Sequence, residues 1–384
     1  MITTKSSITV KGRMPLLACK NQIQEAALIK ESCPTRGGRL IWGVWSMKKE
    51  IVLRTPFMNS NPYLSIFFSF VEVNRMTITW LLKFFTGAYA FTKYDDNEFD
   101  MQITGFVSAN LLDDYFMICC PFVDICQISQ KLILSDIKSE IINAINNGYC
   151  IAIVINPQFI NAYGNISLNE HDLLINGYDL KKDTLFVKDF FPPSYKFESH
   201  EIPYKEFLEA FSKRDTKYKL RFLMRRDVAI IPSSNDLKDV LIEVLKNIIT
   251  KNYNVKNPYH PMAYKVYKDK AGMSMPVNNI WYGIDIYNGM LNYLDKISNK
   301  FWIMLSDSKK LIYYALTQLE DYYGKEPIHM YEEVLQNLKI ILHLNIKCKL
   351  KKEEVIINRI KSLLCETRDI ENKAIHIIVD DLLD

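Results

Sequence analysis

Two kinds of hydrophobic spacing divide the chain. From about residue 47 to 232, short apolar runs of strand length recur: "EIVLRT", "YFMICC", "YCIAIVI", "HDLLINGY", "TLFVKDF" and "YKLRFLM", separated by polar or turn-forming residues. One helix is marked among them. Ser135 stands where an N-cap belongs, Ile137, Ile141 and Ile145 form one stripe, and Gly148 ends the pattern before the strand opening at Cys150. This mixture predicts an α+β domain over 47–232. Past "IPSSND" at 231–236 the period becomes helical, with stripes at Leu237, Leu241, Val244 and Ile248, at Ile280, Ile284, Tyr287, Leu291 and Leu294, and at Ile312, Leu316, Leu319 and Tyr323, closed by Gly324. The pattern repeats over 331–342 and 355–370, so 233–384 reads as an all-α helical domain of about five helices. Between the stripes, "NVKNPYHPMAYKVYKDKAGMSMP" is long enough for a lid or substrate loop, and equally serves as a connector. Residues 1–46 show no sustained period, and Met47 opens "MKKEIVLRTPF" as a natural strand start, which makes 1–46 an N-terminal extension to the folded part.

Composition narrows the class. Hydrophobic residues make up 48% and charged residues 24% of 384, ordinary for a folded chain of two domains. The net charge of +4 is weak and no Lys/Arg block is interleaved with aromatics, which points away from nucleic acid. Eight cysteines, Cys19, Cys33, Cys119, Cys120, Cys126, Cys150, Cys348 and Cys365, are dispersed rather than framed as disulfides, and fit reduced thiols in a cytoplasm. No paired CxxC or nearby histidine gives Cys119, Cys120 and Cys126 metal-ligand spacing, so no metal and no cofactor is expected. The aromatic run "NPYLSIFFSFVEVNRMTITWLLKFF" is broken by Glu72, Arg75 and Lys83, and the first residues lack a signal-peptide core, so neither a membrane span nor secretion is expected.

Within "NEHDLLINGYDLKKDTLFVKDFF", residues 169–191, two strands flank a polar turn, and each carries one residue that a hydrophobic face disfavours: His171 and Asp189. Alternation puts His171, Leu173, Ile175 and Gly177 on one face of the first strand, and Leu185, Val187, Asp189 and Phe191 on one face of the second. With the turn centred on Lys181 the two faces coincide, His171 lies opposite Phe191, and Asp189 is its diagonal neighbour. The carboxylate would then hold one imidazole tautomer, as the third member of a Ser/Cys-His-Asp triad does. A satisfied His-Asp pair at a sheet edge explains the same spacing about as well.

The order of helix, "GYCIAIVI" strand, His-led strand ending in "GYD", and strand ending in an aspartate resembles papain-like cysteine peptidase folds of the bacteriocin-leader peptidase kind. It is more similar still to the N-terminal domain of the butirosin biosynthesis protein H family, found with bacterial peptide-antibiotic and aminoglycoside gene clusters. The likeness spans about residues 50–225 and rests mainly on "HDLLINGYD" and "FVKDFF". It implies a papain-like antiparallel sheet, His171 as general base, Asp189 as its orienting partner, and acyl transfer from a carrier-protein thioester to an amine.

The resemblance also implies a cysteine at the start of an early helix, where unpaired N–H groups and the helix dipole favour a thiolate. The matching stretch is "PFMNSNPYLSIFFSFVEV", and the slot near Asn61, Pro62 and Tyr63 holds no cysteine. Ser60 and Ser65 are near enough to substitute, and Asn59 or Asn61 to donate to an oxyanion, although capping and turn roles account for all four more simply. Cys19 opens a helix-like stretch, but in the extension; Cys119, Cys120 and Cys150 fall in apolar strand-like runs, and Cys126 in the partly polar "DICQ". Two readings compete. The favoured one is an accessory or binding protein of antibiotic biosynthesis that has lost its nucleophile and engages a carrier protein or peptide intermediate. The alternative is an active thiol-dependent aminoacyl transferase or cysteine peptidase that uses a displaced cysteine with His171 and Asp189. A purely structural or immunity-type interaction protein is a third.

Overall fold

The computed structural model describes residues 46–60, 62–86, 88–93, 98–103, 122–128, 136–164, 170–193, 196–214, 220–225, 237–250, 277–351 and 353–380. In chain order these form β1 (Lys48–Glu50), α1 (Pro62–Phe70), α2 (Arg75–Phe85), β2 (Ala88–Lys93), β3 (Glu98–Ile103), β4 (Val123–Ile128), α3 (Ile137–Asn146) and β5 (Cys150–Ile155). There follow β6 (His171–Asp179), β7 (Thr184–Phe191), β8 (Lys196–Pro203), α4 (Tyr204–Ser212), β9 (Leu220–Arg225), α5 (Leu237–Thr250) and β10 (Val277–Tyr282). The chain closes with α6 (Ile286–Asn292), α7 (Asn299–Thr317), α8 (Glu320–Tyr323), α9 (Glu326–Lys351) and α10 (Glu354–Asp380). The class is α+β, as the two hydrophobic periods predict.

A curled antiparallel sheet runs in the order β4-β9-β5-β6-β7-β8, with β1 pairing to the far end of β6 beyond β5. Its two faces are covered differently. Pairing of Ile155 with His171, Ile153 with Leu173 and Ile151 with Ile175 sets those residues on one face; Ala152, paired with Leu174, and Cys150 point to the other. The second face joins a large core with Leu64, Phe67 and Phe68 of α1, Leu81 and Phe85 of α2, and the helices after residue 237. The first face carries α3 and α4. Ile137, Ile141 and Ile145 of α3 and Phe207, Ala210 and Phe211 of α4 are buried outside that large core. The start of each helix is held at the β6-β7 turn, α3 by Lys138 pairing with Asp183 and α4 by Tyr204 N–H donating to Asp183 O at 2.9 Å.

The helix expected from Ser135 is present, with Asp136 as its N-cap: the Asp136 side chain accepts from Ser139 N–H, and Gly148 ends the element at φ 85°. Ser135 lies outside the described residues, as do 1–45, the "YFMICC" run and the long loop-like stretch before Val277. The "EIVLRT" strand is shorter than expected. β1 stops at Glu50, although Ile51 N–H still reaches Asn176 O at 2.8 Å.

Met47–Asp384 forms one compact unit, and the boundary expected near 232 falls inside it. The physical reason is that α2 packs against α5 and α7, and α1 shares one core with them, rather than forming an N-terminal domain of their own. The segment after 233 is also not all helical. Ile280 belongs to β10, which pairs antiparallel with β2 in a second, three-stranded sheet of order β10-β2-β3, so only Ile286–Asn292 of that expected stripe is α-helix.

Candidate functional site

The β6-β7 hairpin places the two polar residues. Its ladder pairs Leu174 with Lys188 and Ile175 with Val187, the register that sets His171 across from Phe191. Nearer the turn the register shifts, with Gly177 opposite Phe186 and Tyr178 opposite Leu185, so Asn176 is the extra residue of a bulge. The bulge changes which side chains share the face. Tyr178, rather than the expected Gly177, joins His171, Leu173 and Ile175, and its hydroxyl donates to Asn146 Oδ1 of α3 at 2.9 Å. Asn176 is buried and donates from Nδ2 to Ile51 O at 2.9 Å, which ties β1 to the bulge. The turn itself is Leu180 to Asp183. Asp179 Oδ1 accepts from the N–H groups of Lys181 and Lys182, and Asp183 takes the positive φ of 55° needed to return the chain.

His171 and Asp189 meet across the strands, Nε2 to Oδ2 at 2.6 Å, with the imidazole 24% exposed and the carboxylate 1%. A carboxylate taken out of water needs donors in its place. Phe190 N–H supplies one to Oδ1 at 2.8 Å, His171 Nε2 faces Oδ2, and the Tyr163 hydroxyl donates to that same Oδ2. Tyr163 was not among the residues singled out by the sequence. It closes the 3₁₀ turn Asn161–Tyr163 after β5, fully buried, its ring edge-on to His171 with centroids 5.6 Å apart and tilted against Phe191 at 4.7 Å. The turn is clamped from α4, where Glu206 accepts from Asn161 N–H at 2.9 Å and from Asn161 Nδ2 at 2.7 Å. Burial, with the Asp189 charge and hydrogen bond beside it, pushes the Tyr163 phenol far above its ordinary range, so the hydroxyl stays protonated and donates to Asp189. The sole sequence signal for it is a tyrosine before a glycine in "NAYGN".

Further ionisable groups ring the pair. On β8, Glu198 pairs with Asp189 and His200 with Val187, which brings both to the His171 face; His200 Nε2 lies 3.5 Å from Glu198 Oε1 and its ring lies tilted against Phe191, centroids 4.1 Å apart. Beyond α4, Arg214 lies over the Phe211 ring at 3.5 Å and donates to Phe211 O. Desolvation lowers its guanidinium to about 10, against the opposing pull of Glu170.

The expected nucleophile slot sits elsewhere. α1 begins at Pro62 as anticipated and packs against β6, but on the face of Leu174, the reverse of the His171 face. The turn before it docks on α7, where Asn59 N–H donates to the buried Asp307 Oδ2 at 3.2 Å, and Lys310 Nζ holds Oδ1 at 2.7 Å. Burial raises the Asp307 carboxyl, while Lys310 and Asn59 act in the opposite direction. Ser65 is buried within α1 with its hydroxyl unpartnered. Asn61 and the Tyr63 side chain lie outside the described residues. Among the described thiols, Cys150 points to the reverse face and burial pushes it up to about 12; Cys348 and Cys365 belong to α9 and α10. Cys19, Cys33, Cys119, Cys120 and the Cys126 side chain lie outside the described residues.

No protein-family model matches the chain, and no curated protein matches it. Among the described residues no helix is long and apolar enough to cross a membrane.

Proposed function

We propose that the protein is a binding or accessory member of a papain-like, butirosin-H-like group in bacterial specialised-metabolite biosynthesis. In this reading His171 and Asp189 are kept as a recognition pair while thiol turnover has been lost. The observation that carries it is the arrangement of charge and thiol around one sheet. Asp189 is buried with three donors and orients His171, whereas Cys150, the thiol of the adjoining strand, points to the other face and is held protonated. The order of β5, the His-led β6 and the aspartate of β7 supports the papain-like part of the reading, whereas α1 lies on the reverse face of β6, where it presents no nucleophile to His171.

Held by Asp189 at Nε2 and 24% exposed, the ring presents its exposed edge to a bound group. An amine, amide or thioester carbonyl of a peptide or a carrier-borne acyl chain matches that edge, because each presents one donor or acceptor beside an apolar body. The cytoplasm, where dispersed thiols stay reduced, is the compartment in which such a partner is met.

The test is binding of a peptidyl carrier protein, measured by fluorescence anisotropy before and after alkylation with iodoacetamide. Binding unchanged by alkylation and weakened at least several-fold by His171→Ala supports the reading. If His171→Ala and one Cys→Ser change each remove a common acyl-transfer activity, the protein is an enzyme and that cysteine is its nucleophile.

A further inference from the structure

Asp189 Oδ2 is shared. It faces His171 Nε2 at 2.6 Å and accepts the Tyr163 hydroxyl, while Oδ1 is fixed separately by Phe190 N–H at 2.8 Å. The two oxygens are therefore pinned from different sides, and the carboxylate plane cannot turn without breaking one of these bonds. Tyr163 is itself immobilised, buried between Phe191 and the His171 ring edge and carried by a turn that Glu206 of α4 grips through two hydrogen bonds to Asn161.

We propose that Tyr163 is a positioning residue that sets the proton affinity of His171 by competing for Asp189 Oδ2. This rests on reading His171 and Asp189 as the functional pair. A hydroxyl that donates to a carboxylate oxygen draws charge from it, so the same oxygen stabilises an imidazolium less well. With Tyr163 in place, His171 is kept in the tautomer with its proton on Nε2 and is held back from permanent protonation. An aspartate with no such competitor would keep the ring cationic to higher pH. Among the described residues, the other ionisable groups on the elements around the ring are Glu170 just before β6, Glu198 and His200 on β8, Glu206 on α4 and Arg214 just after it; Asp172 points to the reverse face. None of these is altered by removing one phenolic oxygen.

The experiment is a histidine-selective NMR titration of the full chain, following the His171 ring carbon protons with pH in the wild type and in Tyr163→Phe. The phenylalanine keeps the ring contacts and deletes only the hydroxyl. The expected result is an upward shift of the His171 midpoint, on the order of tenfold in proton affinity, with His329, His343 and His376 unmoved. Should Tyr163→Phe fail to fold, Asn161→Ala loosens the turn from its exposed side and should move the midpoint the same way by less. A midpoint that is unchanged or lowered in a folded variant overturns the proposal, since a hydroxyl that only packs would leave the titration where it was. No ligand enters this measurement, so its failure is distinct from a failure of carrier-protein binding.

Discussion

Asp189 concentrates the local energetics of the site. Asp189→Ala leaves a buried phenol and a part-buried imidazole without their acceptor, and each orphaned group costs about 1–3 kcal/mol. The expected loss is about 3 kcal/mol in urea unfolding, while Asp189→Asn, which keeps an acceptor oxygen, should lose less. Cys150 makes a second test at this scale. With its thiol pushed up to about 12, the thiolate fraction at pH 8 is on the order of 10⁻⁴, so iodoacetamide should leave Cys150 unmodified in the native protein and label it after unfolding, as peptide mapping would report. His171 and Asp189 were legible in the sequence because a period of two makes an isolated charge on an apolar strand conspicuous. Tyr163 was not, since an irregular turn carries no period and its position depends on a clamp on Asn161 from Glu206, 45 residues after Asn161 in the chain.

At the scale of elements, the hairpin register was legible near the site and wrong near the turn. Counting back from Lys181 gives the observed pairing at Leu174 and Ile175, but the single-residue bulge at Asn176 is set by β1, a strand from more than a hundred residues earlier. Gly177 belongs to the same junction: a Cβ there would lie 2.5 Å from Lys49 O and 2.8 Å from the Phe186 ring. Gly177→Ala should therefore displace β1 and cost about 1–3 kcal/mol, with faster amide exchange in Ile51 than in Val154. A variant as stable as the wild type would mean that β1 yields at no cost. The strand β10 was missed for a related reason. Ile280 and Ile284 fit a helical spacing, and only pairing with β2, far away in sequence, decides for the extended form.

Across the whole molecule, α7 links the parts that the hydrophobic period had separated. Its consecutive Asp307, Ser308 and Lys309 are all buried, which a reading of "SDSKK" as solvated surface misses. Asp307 receives the Asn59 turn ahead of α1, and Lys309 pairs with Glu371 of α10 at 2.5 Å, where Tyr287 of α6 and Tyr331 of α9 also donate. Glu371→Leu should cost about 3–5 kcal/mol by leaving Lys309 charged and unpaired in the interior, read as a lowered urea midpoint. An unchanged midpoint would show that Lys309 finds another partner or sheds its proton. The central claim, that His171 and Asp189 serve recognition without a thiol nucleophile, is tested most directly by intact-protein mass spectrometry after incubation with aminoacyl and peptidyl thioester donors. A protein without a thiol nucleophile keeps its unmodified mass; a stoichiometric acyl adduct on one cysteine, lost in His171→Ala, would show that the nucleophile is present.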